Sequence, residues 1–336
     1  MKAMLLSRLA KLEDNPEPLS LADIPKPEPG KDELLIRVAA CGVCHTELDE
    51  IEGRTPPPTL PVVPGHEAIG RIEAMGQGVT EHASGDRVGV GWIHSSSGKS
   101  DENVDEEFLA TGRDVNGGYA EYLCVPERYA YPIPEVFEDV QAAPLLCAGG
   151  VGYRALRRTL HSNGEVLGLT GFGGSAHLVL QAARYLYPDS RVFVFARSPT
   201  ERAFALELGA HWAGDTSDVP PEAPHAIVDT TPAWKPVLAA LKVLRPGGRL
   251  VINAIRKTDA DKSLMAGIDY ETQLWQEKTL TSVANVTAAD IRTFLQVAAK
   301  AGIRPEVDVY PLEEANRALR NLHAGDVRGA KVLRID

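Results

Sequence analysis

Cysteine is scarce in this chain. Four thiols in 336 residues, Cys41, Cys44, Cys124 and Cys147, are too few to staple a chain of this length, which argues against a disulfide-framed secreted fold. Long apolar runs are missing too: no stretch approaches the roughly 18 apolar residues that a membrane-spanning helix needs. The opening MKAMLLSRLAKLED does not read as a signal peptide, because its short apolar run is broken by Arg8 and Lys11. A reduced, cytoplasmic protein is expected. Positive charge is under-represented, with 35 Lys and Arg against 46 Asp and Glu, a net charge of -11. Neither nucleic acid nor an anionic membrane surface is therefore expected as the main partner. Internal repeats, low-complexity segments and long linkers are also absent.

What is present is an ordinary globular composition, 44% apolar and 24% charged. The length favours two domains, since single cores stop growing beyond about 250 residues. Glycine (30) and proline (24) are plentiful and imply many tight turns. Up to about residue 145 the chain reads as short strands, ELLIRVAACGV, HEAIGRIEAMG, DRVGVGWI and YAEYLCVP, separated by Pro- and Gly-rich breaks. Helix-rich character begins near Asp139 with EDVQAAPLLCAGGVGYRALRR. From EVLGLTGFGG onward, strand and helix alternate: RVFVFAR, HAIVDTT and GGRLVINAI as strands, with SAHLVLQAARYL, PTERAFALELGA and PVLAALKVL as helices. Such alternation predicts βαβ units and a parallel sheet. Two more helices, TAADIRTFLQVAAKAG and PLEEANRALRNLHAG, precede a closing strand AKVLRID. The acidic run KSDENVDEEF is expected to be a solvated loop.

The segment GLTGFGGSAH sets Gly171, Gly173 and Ala176 in a GxGxxA pattern between a strand and a helix, with Gly174 and Ser175 completing the turn. The first glycine permits the tight turn, the second lets backbone approach a pyrophosphate, and the small third residue allows close helix–strand packing. The following helix offers unpaired N–H groups to phosphate. A dinucleotide site is predicted. At the end of the next strand an NAD site would carry Asp or Glu, whereas this chain has Ala196, Arg197 and Ser198. Arg197 can pair with a 2′-phosphate, or simply stack on adenine, and Arg202 is a second candidate. NADP(H) is favoured over NAD(H).

The stretch CGVCH (Cys41–His45) admits three readings: a redox CxxC, a CxxCH haem attachment, or part of a metal site. Haem attachment fits poorly without an export signal. A redox pair would be expected to start a helix in a thioredoxin-like unit, yet this one follows a strand far upstream of the βαβ region. Further along, VVPGHEAIG offers His66 and Glu67, and PLLCAGG offers Cys147. Cys44, His66 and Cys147 would make a Cys₂His set with an open fourth zinc position; buried core residues are the alternative.

A resemblance adds to these readings. CGVCHTE, GHEAIGRI, Trp92, TGRDVNGGYAEY, PLLCAGGVGY, GFGGSAH, LRPGGRL, WQEKTL, PLEEAN and VRGAKVL follow one another as in the zinc-dependent alcohol dehydrogenases of the medium-chain dehydrogenase/reductase superfamily, and the match runs nearly end to end. The resemblance implies a GroES-like, mostly β catalytic domain over 1–148, a Rossmann-fold domain (a doubly wound parallel sheet) over 149–285, and a C-terminal segment over 286–336 that completes the catalytic domain. It implies one catalytic zinc held by Cys44, His66 and Cys147, with Cys41 a small residue on the incoming strand. Glu67 resembles the carboxylate that can approach the metal. Glu47 matches the carboxylate that orients the ligand histidine, a role with a physical basis because an acceptor on the far ring nitrogen fixes the tautomer. Thr46 matches the hydroxyl that hydrogen-bonds the substrate oxygen. His45 falls beside the pyrophosphate contact, and Trp92 where the family lines its substrate pocket. Trp275 is expected to pack structure or a subunit contact.

Three departures stand out. Asp49 occupies the place where some members end a proton relay in histidine. Ser97, Ser100 and Asn103 stand where three cysteines of a second zinc site would fall, so no structural zinc is expected, and hydrogen bonds or the acidic loop itself must hold that lobe. Ala330 replaces an arginine that reaches the diphosphate, and strand alternation argues against Lys331 taking over. The implied activity is reversible hydride transfer between a primary alcohol or aldehyde, as small-molecule partner, and NADP(H) or NAD(H). Reduction of larger or aromatic aldehydes and polyol oxidation are alternatives on the same scaffold, and a non-catalytic cofactor-binding protein is the alternative of another class. A homodimer or homotetramer is implied by resemblance alone.

Overall fold

The computed structural model describes residues 1–325 and 328–335, so Val327, the first residue of the VRGAKVL motif, lies outside it. The chain divides into two compact units: Met1–Ala148 with Val286–Ala299 and the segment from Arg304 onward, and Gly149–Asn285 with Lys300–Ile303. Among the described residues no helix is long and apolar enough to cross a membrane.

The first unit opens with β1 (Lys2–Leu6) antiparallel to β2 (Leu19–Asp23). Strand β3 (Glu33–Val43) is apolar almost throughout because most of it is buried inside the sheet. The chain turns at Cys44 into helix α1 (His45–Ile51). Strands β4 (Ala68–Met75), β5 (Arg87–Val90), β6 (Ile93–Ser95), β7 (Leu109–Ala110), β8 (Tyr122–Pro126) and β9 (Ala130–Pro132) follow. The helix-rich stretch predicted from Asp139 is interrupted. It forms α2 (Asp139–Ala142), a 3₁₀ turn (Ala143–Leu145) and, after Cys147, α3 (Ala148–Arg158). Pro144, which lacks an N–H, falls in the 3₁₀ turn.

The second unit carries β10 (Val166–Thr170), α4 (Ala176–Leu186), β11 (Arg191–Phe195), α5 (Pro199–Glu207) and β12 (Trp212–Gly214). It continues with β13 (Ala226–Asp229), α6 (Trp234–Val243), β14 (Arg249–Ile252), α7 (Tyr270–Gln273) and β15 (Thr279–Ser282). The six strands are parallel in the order β12-β11-β10-β13-β14-β15. Strand order therefore reverses beside β10, where Thr170 is level with Phe195 on one side and Asp229 on the other. Leu167, Leu169, Val192, Val194 and Phe172 fill the core on one face of the sheet, and Ile227, Val237 and Leu250 belong to a second cluster.

The chain then returns to the first unit as α8 (Ala288–Ala301), β16 (Val307–Pro311), α9 (Ala315–His323) and β17 (Ala330–Arg334). These strands extend its sheet to β16-β17-β3-β4-β5-β9, with β8 also on β3. Lys331 is buried and donates to Asp308 Oδ2 at 3.1 Å, which directs its ammonium to the neighbouring strand.

The acidic run KSDENVDEEF is solvated only in part. Asp101, Glu106 and Glu107 are exposed, but Glu102 and Asn103 are buried. The Glu102 carboxylate organises this lobe: Oε2 accepts from Ser96 Oγ at 2.9 Å and Tyr129 O–H at 3.0 Å, while Oε1 accepts from the Ala288 N–H at 2.7 Å. Asp105 accepts the Ser97 N–H at 3.1 Å, and Arg128 donates to the Gly98 carbonyl at 2.6 Å. Of the three residues at the cysteine positions, Ser97 is half-buried, Ser100 exposed and Asn103 buried. Polar contacts thus tie the lobe to β9's approach and to the start of α8. Replacing Glu102 with Ala leaves the Ala288 N–H without its acceptor, along with one hydroxyl of the Ser96–Tyr129 pair, which bond each other at 2.7 Å, and is expected to cost about 2–4 kcal/mol in urea unfolding. A loss below about 0.5 kcal/mol, the range of an ordinary surface substitution, would show that the lobe does not depend on it.

Candidate metal centre and dinucleotide turn

Cys44, His66, Glu67 and Cys147 each offer one donor atom, and the four atoms lie within 4.8 Å of one another. Three local features bring them together. Cys44 is the N-cap of α1, with extended φ and ψ of -114° and 164°, so its sulfur projects from the helix start. His66 and Glu67 immediately precede β4, which pairs with β3 in a register that sets Ala68 against Cys41. Cys147 lies in the break between the 3₁₀ turn and α3.

Glu47 locks the first two together. Its Oε2 accepts the Cys44 N–H at 2.8 Å, closing a capping box, and its Oε1 lies 2.6 Å from His66 Nδ1. A neutral imidazole held this way carries its proton on Nδ1, which leaves Nε2, buried and without a hydrogen-bond partner, as the atom offered to the cluster. Glu67 is buried against β3: a Cβ on Gly42 would stand 1.7 Å from Glu67 Oε2, so only glycine fits there. Burial pushes the Glu67 carboxyl well above the usual range, reinforced by the charge of the Cys44 sulfur. The hydrogen bond with Cys147 holds Cys44 well below the ordinary thiol range against its burial, helped by His66, and the same contact raises Cys147. The protein alone therefore favours one thiolate and one thiol, and a metal must displace the Cys147 proton to bind both sulfurs.

Zinc fits this donor set. Tetrahedral ligand atoms at 2.0–2.3 Å from zinc stand about 3.3–3.8 Å apart, within the observed spread. Two sulfurs and an imidazole suit a borderline-soft ion, and the orphaned Nε2 is what a missing ligand bond predicts.

The other expected residues are distributed as follows. Thr46 is buried, with Oγ1 3.6 Å from Cys44 Sγ. Asp49 is buried, but Arg54 grips its Oδ1 through Nε at 2.7 Å and Nη2 at 2.5 Å. His45 is exposed at the first helical position. Trp92 is buried and meets the His66 ring edge-on at 4.9 Å, with Phe108 behind it at 6.3 Å. Cys41 is fully buried in β3, its thiol pushed well up by burial. Cys124 on β8 is half-buried and pushed up to about 11 for the same reason. Two neighbours escape sequence reasoning. Glu50 is buried with Oε1 unpaired, and burial, then the nearby Glu47 charge, lifts its carboxyl well above the usual range. Its spacing of three from Glu47 on a short helix was the available signal. The Arg113 guanidinium lies 5.6 Å over the Trp92 ring and is paired with Asp114 at 2.7 Å; nothing local in the sequence points to it.

In the second unit the glycine turn joins β10 to α4. Gly171 has φ +76°, a left-handed conformation that favours glycine, and its N–H donates to the Phe195 carbonyl at 2.8 Å. A Cβ on Gly173 would meet nothing within 4 Å, so no protein contact demands glycine there, and the open space suits an approaching phosphate. Gly174 follows in the turn, Ser175 is the N-cap of α4, and Ala176 is buried at its first position. At the end of β11, Ala196 is buried and Arg197 exposed, while Ser198 caps α5. Arg202 donates to the carbonyls of Ala196 at 2.7 Å and Arg197 at 3.0 Å, so it braces the loop.

A sulfur–imidazole–carboxylate centre on a β-rich unit, carried in one chain with a parallel sheet and glycine turn, defines a metal-dependent oxidoreductase that uses a dinucleotide. The chain matches the family "Alcohol dehydrogenase GroES-like domain" over residues 30–135 and "Zinc-binding dehydrogenase" over 211–333. It is 39% identical to "Probable alcohol dehydrogenase AdhA" of Mycobacterium tuberculosis, covering 100% of this chain and 97% of that one. It is 32% identical to an alcohol dehydrogenase of Geobacillus stearothermophilus, covering 98% and 100%. Among solved structures, a cinnamyl alcohol dehydrogenase of Sorghum bicolor superposes with a TM-score of 0.81 at 27% identity, covering 99% and 97%. The chain belongs to the zinc-dependent alcohol dehydrogenase family of the medium-chain dehydrogenase/reductase superfamily. Its first unit is GroES-like, its second is Rossmann-like, and its general chemistry is alcohol–aldehyde redox with a nicotinamide dinucleotide.

Replacing Glu47 with Gln keeps an oxygen for the Cys44 N–H but removes the charge on His66 Nδ1. Zinc affinity, read by competition with a chromophoric chelator, is expected to fall about 10–100-fold; unchanged affinity would remove Glu47 from the site.

Proposed function

We propose that this protein interconverts a primary alcohol and its aldehyde, with zinc bound by Cys44, His66 and Cys147 and with NADP(H) preferred over NAD(H). The observation that carries the reading is the convergence of the four donor atoms within 4.8 Å. Zinc bound there supplies a Lewis acid that polarises the alcohol oxygen and lowers its pKa. The nicotinamide supplies the hydride chemistry. The chain's own residues do the rest. Glu47 keeps the imidazole in the tautomer that presents Nε2. Thr46 Oγ1 accepts the substrate hydroxyl's hydrogen bond and starts the proton on its way out. Asp49 Oδ1 is engaged by Arg54 through Nε and Nη2, so the proposed proton path runs from Thr46 without it. Glu67, buried and raised in pKa, is the carboxyl positioned to approach the metal. Trp92, packed on His66, limits the bulk of the substrate at the reacting carbon, which supports unbranched primary alcohols.

The NADP(H) preference rests on the absence of a carboxylate at Ala196 and on the exposed Arg197, since Arg202 is occupied with backbone carbonyls. Self-association is proposed from β15, one of the sheet's two edge strands, whose exposed Leu280 lies in a chain segment with exposed Tyr270 and Trp275. Light scattering that returns a monomer would remove that part.

Steady-state assays with straight-chain, aromatic and polyol substrates, against both cofactors, test the whole reading. Activity is expected on primary straight-chain alcohols, lost on chelation and restored by zinc. Full activity without bound metal would overturn the mechanism, and preference for aromatic aldehydes or polyols would move the substrate class. Replacing Arg197 with Ala is expected to weaken NADPH about tenfold or more, as for one charge-assisted contact, and to leave NADH nearly unchanged; equal effects would refute the 2′-phosphate pairing.

A further inference from the structure

The carboxyl edge of the six-stranded sheet holds a charged cluster that no role above uses. Asp229, the last residue of β13, is fully buried, and Lys257 follows β14 with its side chain only 8% exposed. Asp229 Oδ1 accepts from Thr170 Oγ1 at 2.5 Å and from Thr231 Oγ1 at 2.8 Å. The Lys257 ammonium pairs with Asp229 Oδ2 and donates to the Thr231 carbonyl at 2.6 Å. Two of its three N–H donors are thereby used. Taking both charges out of water carries a desolvation cost that an apolar pair of similar size would avoid.

Position supplies the reason for keeping it. The cluster abuts the glycine turn: a Cβ on Gly171 would lie 2.9 Å from Thr231 Cγ2 and 3.0 Å from Thr230 Oγ1. The loop leaving β14 reaches the same turn, where Asn253 Nδ2 donates to Ser175 Oγ at 2.8 Å. In a doubly wound sheet the dinucleotide lies across the carboxyl ends at the switch point, with its adenosine half over the strand that follows the glycine turn. That strand is β11, and Arg197 lies two residues past its end at Phe195. The other nucleotide half must then lie over β13 and β14, where Lys257 stands.

We infer that Lys257 binds the nicotinamide half of the cofactor, donating its third N–H to a hydroxyl oxygen of the nicotinamide ribose, and that Asp229 is the positioning residue that holds the ammonium there. This rests on the dinucleotide reading above. The test compares binding by calorimetry of NADPH with 2′,5′-ADP, and of NADH with 5′-AMP, because the second member of each pair lacks the nicotinamide ribose. Lys257→Met should weaken NADPH and NADH about tenfold or more, as loss of a charge-assisted hydrogen bond does, and leave both adenosine fragments unchanged. The double variant Lys257→Met/Asp229→Asn, which buries no unpaired charge, should show the same pattern and guards against misfolding of the single one. Equal weakening of dinucleotides and fragments, or no weakening of either, would make the pair merely structural and overturn the inference. A wild-type protein that binds none of the four ligands would overturn the dinucleotide reading itself and this inference with it.

Discussion

The catalytic unit depends on one carboxylate. Glu47 terminates a helix with one oxygen and orients an imidazole with the other. The N-cap here is a cysteine, and the capping box is reciprocal: the Cys44 sulfur faces the Glu47 backbone N–H while Glu47 Oε2 accepts the Cys44 N–H, so the group that starts the helix is also a candidate metal ligand. The same carboxylate carries negative charge into a fully buried site, where burial raises its own pKa and the His66 ring draws it back down. Neither group is comfortable there alone. Each is the other's compensation, and a cation at the sulfurs completes the balance.

That local device works only because remote strands hold β3 in register. Cys41 faces Ala68 on one side and Leu333 on the other, which places the turn at Cys44 beside the residues leading into β4. The return of the C-terminal strand to the first sheet is therefore part of how the centre is positioned. Gly42 adds the second constraint, because Glu67 occupies the volume that any side chain there would need. In the second unit the equivalent organising feature is the level carboxyl edge, where Thr170, Asp229 and the glycine turn meet at the point of strand reversal.

Much of this was legible in the order of residues, and the division is physical. Strand–helix alternation and the GxGxxA turn are local signals, decided by period and by backbone freedom, and the parallel sheet follows from them. The CGVCH stretch is local too, yet spacing alone cannot separate a ligand from a packing thiol. The difference between Cys44 and Cys41 is that one sits at a helix start and the other inside a strand, and only register decides that. Illegible in the sequence were the buried acidic groups whose partners are distant along the chain: Glu102 with Ala288, and Asp229 with Lys257. An acidic run reads as solvated because most such runs are; nothing within KSDENVDEEF marks Glu102 as the one that turns inward to meet a hydroxyl and a helix start.

Arg197 and Arg202 show the limit most clearly. Five residues apart on a loop and the helix after it, they are equivalent as guanidinium groups. The fold separates them: Arg202 lies one helical turn beyond its cap at Ser198, so its side chain reaches back to the carbonyls that end β11, while Arg197 remains outside on the loop. Spending one arginine on bracing keeps the loop in the shape that presents the other. The proposed cofactor preference draws on both what is exposed and what is missing here: with Ala196 in place of a carboxylate, this strand end offers an NAD ribose no hydrogen-bond acceptor and a 2′-phosphate no repulsion, so the missing charge would count as much in that proposal as the exposed Arg197.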